Sequence, residues 1–464
     1  MSVTSELTIT EAEKRSASAS EWRAMLAIAV PVVVVQVGMM LMGVVDTLII
    51  GRFSAQALAA VALGNLYFYN VIVIAIGTVM TLDPLVAQAV GANDRVAITR
   101  AIQRGLLLAL GLGVLSVVPM LPAASLLRLF RQPPEVIPSV ATYVHISAAG
   151  LVPFLVFVVL RQTLQAIARL APIVVTIIAA NVLNAVLNWV LIFGHLGAPP
   201  LGVAGSAVAT LISRWAMCLV LLALAWRELR PHLIKLDPAS LAFGPVWRML
   251  MLGLPIGLQQ FLEVSAFGAI GLLTGTLGAI QVAAYQVALN LAALTFMVPL
   301  GVASAAAVRV GHAVGAGDMP RARLAARIAY LLGGGFMSLT AVLFLLAPRF
   351  FATLYSRDAA LIASAAALIP IAGVFQIFDG TQSVGAGVLR GLGDTRVPLI
   401  AMLSGYWLIG VPVSVGLGFY SGMGSEGLWW GFVAGLATVA VFLLLRVRVL
   451  FRRGVSRVLV DAPR

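Results

Sequence analysis

Long apolar runs separated by short polar stretches repeat along the whole chain. A helix needs about 20 mostly apolar residues to cross a bilayer, and twelve runs are long enough. They lie near residues 24–50, 57–82, 102–123, 138–160, 172–193, 203–225, 248–273, 281–308, 325–347, 361–388, 398–419 and 427–447. The pattern therefore predicts an all-α membrane protein with twelve transmembrane helices.

The second half of the chain repeats the first with an offset of 224 residues. Between Met25 and Ala101, 17 of 77 positions match the residue 224 positions later, and the loop at 89–94 recurs at 313–318. Six helices per repeat is an even number, so both halves enter the membrane in the same direction. We expect two six-helix lobes related by a pseudo-two-fold axis along the membrane normal, with a cleft between them.

Polar segments and matched helix breakers predict how the chain is divided. Pro31 matches Pro255 and Gly77 matches Gly301, which predicts bends in equivalent helices. The longest polar stretch inside the chain lies between the two repeats. The predicted parts are an N-terminal tail (1–23), a first lobe (24–226), an inter-lobe linker (227–247), a second lobe (248–447) and a basic C-terminal tail (448–464).

Composition and charge support a membrane protein and predict its orientation. The chain is 61% hydrophobic and 10% charged, whereas soluble domains carry about 25% charged residues. Of the basic residues, 24 fall in segments on the side of both termini, Arg161 and Arg390 among them, five fall on the other side, and Arg214 is left inside a span. Basic loops face the cytoplasm, so we expect a multi-pass protein with both termini in the cytoplasm. The net charge of +13 then needs no nucleic-acid partner.

Four acids fall within predicted spans, where an ionisable group is costly and indicates function. They are Asp46, Glu263, Asp379 and, near the end of the second span, Asp83. Asp46 and Glu263 occupy repeat positions seven residues apart, so they share one face of equivalent helices. We expect this face to line the cleft. Carboxylates without basic partners can exchange a proton for a cation, as antiport requires; the alternative is that each acid is neutral and hydrogen-bonded to a neighbouring helix.

Uncharged polar and aromatic residues within the spans are candidates for the substrate cleft. Asn181, Asn184 and Asn188 lie on one face of the fifth span. The alternative for the polar residues is hydrogen bonding between helices, and for the aromatic ones packing. The candidates are Gln36, Asn181, Asn184, Tyr285, Gln286, Asn290, Phe296 and Gln376.

The sequence offers no chemistry typical of an enzyme. It has no GxxxxGK[ST] phosphate-binding loop, and its four histidines and one cysteine are scattered. We therefore expect no cofactor, no catalytic residue and no need for an ATPase partner.

Three segments resemble the multidrug and toxic compound extrusion (MATE) family, and the resemblance extends over essentially the whole chain. They are Val45–Gly51 with Leu58–Ala62, Pro84–Ala92 and Gly387–Asp394. The presence of Asp46, Glu263 and Asp379 together is similar to the NorM-type branch of that family.

The resemblance implies a twelve-helix antiporter of the bacterial inner membrane that exports cationic amphipathic compounds in exchange for inward Na⁺ or H⁺, by alternating access. Two lobes in one chain remove the need for a dimer without forbidding one, so we expect a monomer. It implies that Glu263 and Asp379 belong to the cation site, where Na⁺ would bind, and that Asp46 takes part in coupling. Asp358 lies where some members have a further functional acid. Phe296 and Phe375 stand where some relatives have tyrosine, which removes a hydroxyl ligand for Na⁺. Asp83 is more typical of eukaryotic members and favours H⁺ slightly.

Three other functions are consistent with parts of the pattern. A lipid-linked precursor flippase of the same superfamily predicts a cationic cleft, and few basic residues fall within the predicted spans. A major-facilitator transporter also has six plus six helices, but the loop at 91–95 fits its signature poorly. A non-transporting membrane scaffold would gain nothing from acids in the middle of the spans.

Overall fold

The computed structural model describes residues 11–461, and its regular elements in this range are all helical. Three 3₁₀ turns (Val118–Met120, His195–Gly197 and Pro238–Leu241) and two π-helical segments (Leu403–Gly410 and Gly416–Tyr420) connect or extend the α-helices. The α-helices are α1 (Glu11–Gly51), α2 (Ala55–Val79), α3 (Leu82–Gly91), α4 (Arg95–Val117), α5 (Ala123–Leu129), α6 (Ile137–Ala148), α7 (Leu151–Ala166), α8 (Ala171–Phe193), α9 (Val203–Leu224), α10 (Trp226–Leu233), α11 (Phe243–Gly275), α12 (Ala279–Gly315), α13 (Met319–Leu346), α14 (Pro348–Thr353), α15 (Ala359–Gly391), α16 (Arg396–Met402), α17 (Val411–Val415) and α18 (Gly424–Arg453).

The helices provide the twelve spans that the sequence predicts. Among the described residues, eleven stretches are long and apolar enough to cross a membrane, and the pair α6 and α7, bent by 50° at a short break, supplies the twelfth. The prediction of twelve transmembrane helices is therefore confirmed.

Several helices continue well past the predicted ends of the spans. α4 begins seven residues earlier than predicted, and α12 ends seven residues later. An apolar window ends at the first charges, whereas the backbone stays helical wherever protein packs around those charges. Of the predicted N-terminal tail, residues 1–10 lie outside the described residues, and α1 already begins at Glu11.

A loop that recurs in both repeats shows why the helices on the side of the chain termini end where they do. Asn93 and Gly317 are matched by the repeat, and both have positive φ angles, 54° and 73°. The aspartate after each caps the next helix: Asp94 accepts from the Ala97 amide, and Asp318 from the Arg321 amide, both at 2.9 Å. We call this side the terminal face and the opposite side the distal face.

The two lobes meet through glycines that the repeat places at equivalent positions. α2 crosses α11 and α12 crosses α1. Gly77 lies against the backbone of Gly257, and Gly301 lies against Val33. Gly301 is the repeat equivalent of Gly77, and Gly257 is the repeat equivalent of Val33. The matched glycines therefore allow close helix crossings. This equivalence is what a pseudo-two-fold relation between the lobes requires, and it confirms the predicted fold class.

Candidate functional site

A cavity of about 600 Å³ lies between the two lobes. This volume falls within the range of pockets that hold drug-sized molecules. Its aromatic wall includes Phe68, Tyr69, Phe154, Phe267 and Phe296. Its polar wall includes Gln36, Asn65, Arg161, Gln162, Gln165, Arg214, Gln259, Gln260, Glu263, Ser304, Gln382, Ser383 and Arg390. The cavity therefore offers apolar surface together with charges of both signs.

The second lobe contributes two carboxylates that are bridged by one amide. Glu263 of α11 lines the cavity, and Asp379 of α15 is 4% exposed. The Gln382 amide nitrogen donates to Glu263 Oε1 at 3.0 Å and to Asp379 Oδ1 at 3.4 Å. The structure thus brings together the two acids that the resemblance assigns to one cation site.

Two further side-chain oxygen atoms near this carboxylate pair are available to a ligand. The Gln382 side-chain oxygen is buried and has no hydrogen-bond partner among the described residues, and neither does the Tyr406 hydroxyl. Tyr406 interacts electrostatically with both Glu263 and Asp379. Hard cations prefer oxygen ligands, so carboxylate, amide and hydroxyl oxygens at this point suit a monovalent cation or a shared proton. The sequence analysis missed Gln382 and Tyr406 because only the packing of α11, α15 and the π-helical segment places them beside the acids.

Asp46, in contrast, lies inside the first lobe. It is 3% exposed and accepts from the Asn188 amide at 2.6 Å and from the Thr210 hydroxyl at 3.4 Å. Asn188 donates in turn to the Asn184 carbonyl at 2.9 Å. The predicted position of Asp46 on the cleft wall is therefore wrong, because α8 and α9 pack over that part of α1.

The other predicted cleft residues divide into two groups. Gln36 and Phe296 lie in the cavity wall. The remaining six are not part of that wall, and most have partners within one lobe, either on a neighbouring helix or, for Gln286 and Asn290, on the same helix. They are Asn181 on Gly38, Asn184 beside Asn188, Tyr285 on Phe267, Gln286 with Asn290, and Gln376 with Thr340.

The two secondary acids have different surroundings. Asp358 is exposed at the distal end of α15, where it accepts from the Ala360 and Leu361 amides and acts as a helix cap. Asp83 is fully buried, and both of its carboxylate oxygens lack a hydrogen-bond partner among the described residues. Arg161 and Arg390 are the charged groups that interact with Asp83 electrostatically.

Two arginines that the sequence analysis counts among the loop residues line the cavity instead. Arg161 lies near the end of α7 and is 8% exposed, and Arg390 lies near the end of α15 and is 6% exposed. A third arginine, Arg214, stacks on the Phe68 ring at 3.7 Å. The expectation of few basic groups within the spans is therefore wrong, because helices α7 and α15 extend past the apolar windows that defined the spans.

Contacts across the lobes close the terminal face. Arg309 of α12 makes a two-point ion pair with Glu21 of α1, with N–O distances of 2.7 and 2.6 Å. The His312 ring lies 2.7 Å from the Ala166 carbonyl oxygen. The Gln88 amide donates to the Gly391 carbonyl at 2.9 Å. The cavity is thus sealed on the side of the chain termini.

The C-terminal segment after α18 adds a second layer to this closure. Arg457 pairs with Asp94 at 2.9 Å, and Asp461 pairs with Arg104 at 2.6 Å. The Ala97 amide and Arg457 together hold the pKa of the Asp94 carboxyl below its ordinary value. These pairs tie the end of the second lobe to the start of α4 in the first.

Within residues 11–461, no cluster of three or more His, Cys, Asp or Glu side chains suits a metal ion.

Comparison with known proteins identifies the architecture. The sequence profile of the family described as MatE matches the chain twice, over residues 31–190 and 255–415. The two matches begin 224 residues apart, which is the offset of the internal repeat.

Similar proteins cover nearly the whole chain. A probable multidrug resistance protein NorM of Rhizobium meliloti (strain 1021) is 38% identical over 443 residues, which are 94% of each chain. A multidrug resistance protein MdtK of Edwardsiella ictaluri (strain 93-146) is 34% identical over 96% of this chain and 99% of its own. Among solved structures, the eukaryotic MATE transporter AtDTX14 superposes with a TM-score of 0.84 at 23% identity, covering 93% of this chain and 96% of its own.

Proposed function

The chain belongs to the MatE family of multidrug efflux transporters, and we propose that it exports cationic amphipathic compounds in exchange for inward Na⁺ or H⁺. It is a multi-pass membrane protein and not an enzyme. One observation carries the proposal: Glu263 and Asp379, bridged by Gln382, lie beside a drug-sized cavity between the lobes.

The coupling ion and the substrate compete for the same carboxylates. A cationic compound in the aromatic part of the cavity is attracted by Glu263, and its ring systems stack on side chains such as Phe296. Na⁺ or H⁺ at Glu263 and Asp379 neutralises that attraction and favours release of the compound. Oxygen atoms of Gln382 and Tyr406 supply further ligands for Na⁺, in place of the hydroxyls that Phe296 and Phe375 lack.

Alternating access follows from the arrangement of the lobes. The terminal face is closed by contacts between two separate helical bodies, so a rocking motion of one lobe against the other can open it. We assign this face to the cytoplasm from the distribution of the basic residues. The single chain contains both lobes and therefore works as a monomer in the inner membrane. Asp46, enclosed in the first lobe, would act on coupling through Asn188 and Thr210 and not by touching the substrate.

The test is dye efflux from proteoliposomes with a Na⁺ gradient and a pH gradient imposed separately. Asp379→Asn keeps the size of the side chain but removes its charge, and we expect it to abolish gradient-driven efflux. Asp318→Asn is the matched control, because Asp318 is exposed and caps α13 and asparagine caps a helix as well as aspartate does; it should leave efflux unchanged. Undiminished efflux in Asp379→Asn would refute the proposed site.

The flippase of lipid-linked precursors is the second candidate, and one observation favours it. Arg161, Arg214 and Arg390 line the cavity, as a cleft for pyrophosphate requires. The volume of about 600 Å³ suits a drug-sized molecule better than a polyprenyl carrier. If neither gradient moves a cationic dye, lipid-linked substrates become the better proposal.

A further inference from the structure

Three guanidinium groups in the cavity wall have no anionic partner within ion-pair distance among the described residues. Arg214 stacks on the Phe68 ring, and the other two belong to Arg161 and Arg390. Arg161 donates to the Gln36 side-chain oxygen at 3.3 Å and to the Met39 sulfur at 3.1 Å, and Arg390 donates to the Met80 sulfur at 3.7 Å. The Nε atoms of Arg161 and Arg390 are buried and have no hydrogen-bond partner within residues 11–461. The amide oxygen is neutral and the two thioether sulfurs are weak acceptors, so no negative charge lies at hydrogen-bond distance from either guanidinium group.

The nearby acid does not satisfy these guanidinium groups. Asp83 interacts with both arginines electrostatically, but its two carboxylate oxygens make no hydrogen bond with either. Glu263 also interacts with Arg390 electrostatically, but its Oε1 atom accepts from Gln382 and its carboxylate makes no ion pair with either arginine. Burying a charge without a paired opposite charge costs free energy. A cavity wall that contains two such guanidinium groups is therefore suited to binding an anionic ligand.

Arg161 and Arg390 come from different lobes and lie at one end of the cavity. Arg161 is near the C-terminal end of α7, Arg390 is near the C-terminal end of α15, and both helices end at the terminal face. Glu263 lies in the same cavity wall. A single bound molecule can therefore contact the Glu263 carboxylate with one group and the two guanidinium groups with another.

We propose that Arg161 and Arg390 form an anion subsite that binds the carboxylate of amphoteric substrates, whose cationic group lies at Glu263. Guanidinium groups match carboxylates in a planar, two-point geometry, and such charge-assisted hydrogen bonds are among the strong ones. Because the two arginines belong to different lobes, the bound carboxylate bridges the lobes. This inference rests on the proposed function, since it names a substrate class for the same cavity.

A pair of dyes that differ by one ester tests the subsite. Rhodamine 110 carries a cationic ring system and a free carboxylate, and rhodamine 123 is its methyl ester. We would measure the affinity of the purified full-length protein for both dyes by fluorescence anisotropy. For Arg161→Gln and Arg390→Gln we expect roughly a tenfold or greater loss of affinity for the acid dye. Affinity for the ester should change less than about threefold, or increase, because a repelling positive charge has been removed.

Control variants separate binding from folding. Arg161→Lys and Arg390→Lys keep the charge but lose the two-point geometry, so they should recover part of the affinity for the acid dye. Arg349→Gln removes an exposed arginine near the distal face and should leave both affinities unchanged.

The possible outcomes distinguish this inference from the proposed function. An equal loss for both dyes would mean that the arginines only support the fold, and no loss for either would mean that the carboxylate binds elsewhere; each result overturns the subsite. Export of rhodamine 123 in either case would leave the proposed function intact. If the wild-type protein binds and moves neither dye, the proposed function fails first.

Discussion

The contact between Gly77 and Gly257 predicts the effect of a single methyl group on the closure of the terminal face. A Cβ atom added at Gly77 would lie 2.5 Å from Gly257 Cα, 2.8 Å from Gly257 N and 2.9 Å from the Ile256 carbonyl oxygen. All three are backbone atoms, so no side-chain rotation can relieve the clash. Carbon atoms pack at about 3.5–4.0 Å, and Gly77→Ala must therefore push α2 and α11 apart by roughly 1 Å.

The cost of this separation follows from what is known of overpacked cores. Extra methylenes forced into a packed interface cost about 1–3 kcal/mol. Because the clash exists only while the lobes cross closely, that cost falls on the terminal-closed state. The same energy corresponds to a shift of roughly 5- to 150-fold between two conformations. We expect Gly77→Ala to populate states in which the terminal face is open.

Thiol labelling of the cavity wall measures this shift. The chain has one cysteine, the buried Cys218, so Cys218→Ala gives a background without thiols. Ser383 belongs to α15 and lies in the cavity wall, and Ser383→Cys reports access to the cavity. A membrane-impermeant maleimide applied to the terminal face should label this cysteine several-fold faster when Gly77→Ala is present.

Gly111→Ala is the matched control for the added methyl group. It lies within α4, and its new Cβ would have no atom within 4 Å. It should leave the labelling rate unchanged, or stabilise the helix slightly. If Gly77→Ala labels at the wild-type rate and melts at the wild-type temperature, the close crossing does not hold the lobes together and the reasoning is refuted.

Three further predictions concern the polar clusters. Gln382→Leu removes the amide that bridges the two carboxylates of the second lobe, so gradient-driven dye efflux should fall at least about tenfold while the melting temperature in detergent changes little; normal efflux would exclude a role for the bridge. Asn188→Leu leaves Asp46 with only the long hydrogen bond from Thr210, and we expect the free energy of unfolding to fall by about 1–3 kcal/mol. A denaturant titration in mixed micelles would measure this loss. Val182→Leu, on the exposed side of the same helix, is the control. Asp94→Asn should lower the melting temperature by the same amount at every pH between about 6 and 8. The pKa of Asp94 is lowered in the folded protein, so its ion pair with Arg457 contributes fully above the ordinary pKa of aspartate and is lost only as the pH falls through the lowered pKa. A decrease in melting temperature that varies between about pH 6 and 8 would contradict this ion pair.

The number of spans follows from the sequence because hydropathy reports what lipid requires. The ends of the helices do not, because hydropathy cannot distinguish a charge in water from a charge in a protein cavity. Arg161 and Arg390 illustrate this difference: each ends an apolar run in the sequence, yet each lies in a helix and faces the space between the lobes. Only the packing of the helices separates the two situations.

The candidate site was predictable in part for a similar reason. An acid in an apolar run is conspicuous, and the resemblance groups Glu263 with Asp379, which the structure joins through Gln382. The asparagine stripe on α8 is conspicuous as well, but its partner is Asp46 and not the cleft. A single sequence shows which face of a helix is polar, and it does not show which neighbour that face meets.

The internal repeat is preserved where the lobes touch and lost where the charges lie. Gly77 and Gly301 are equivalent and make equivalent crossings, whereas Asp46 aligns with an isoleucine and Glu263 with a methionine in the opposite repeat. Symmetric contacts allow either lobe to rock against the other with similar packing. Asymmetric charges mean that an ion at Glu263 and Asp379 would contact groups of the second lobe alone, whereas a substrate in the cavity would contact both lobes. A ligand can shift a conformational equilibrium only through such a difference in affinity between states, so the loss of symmetry in the charged positions is what would allow a symmetric scaffold to couple two different ligands.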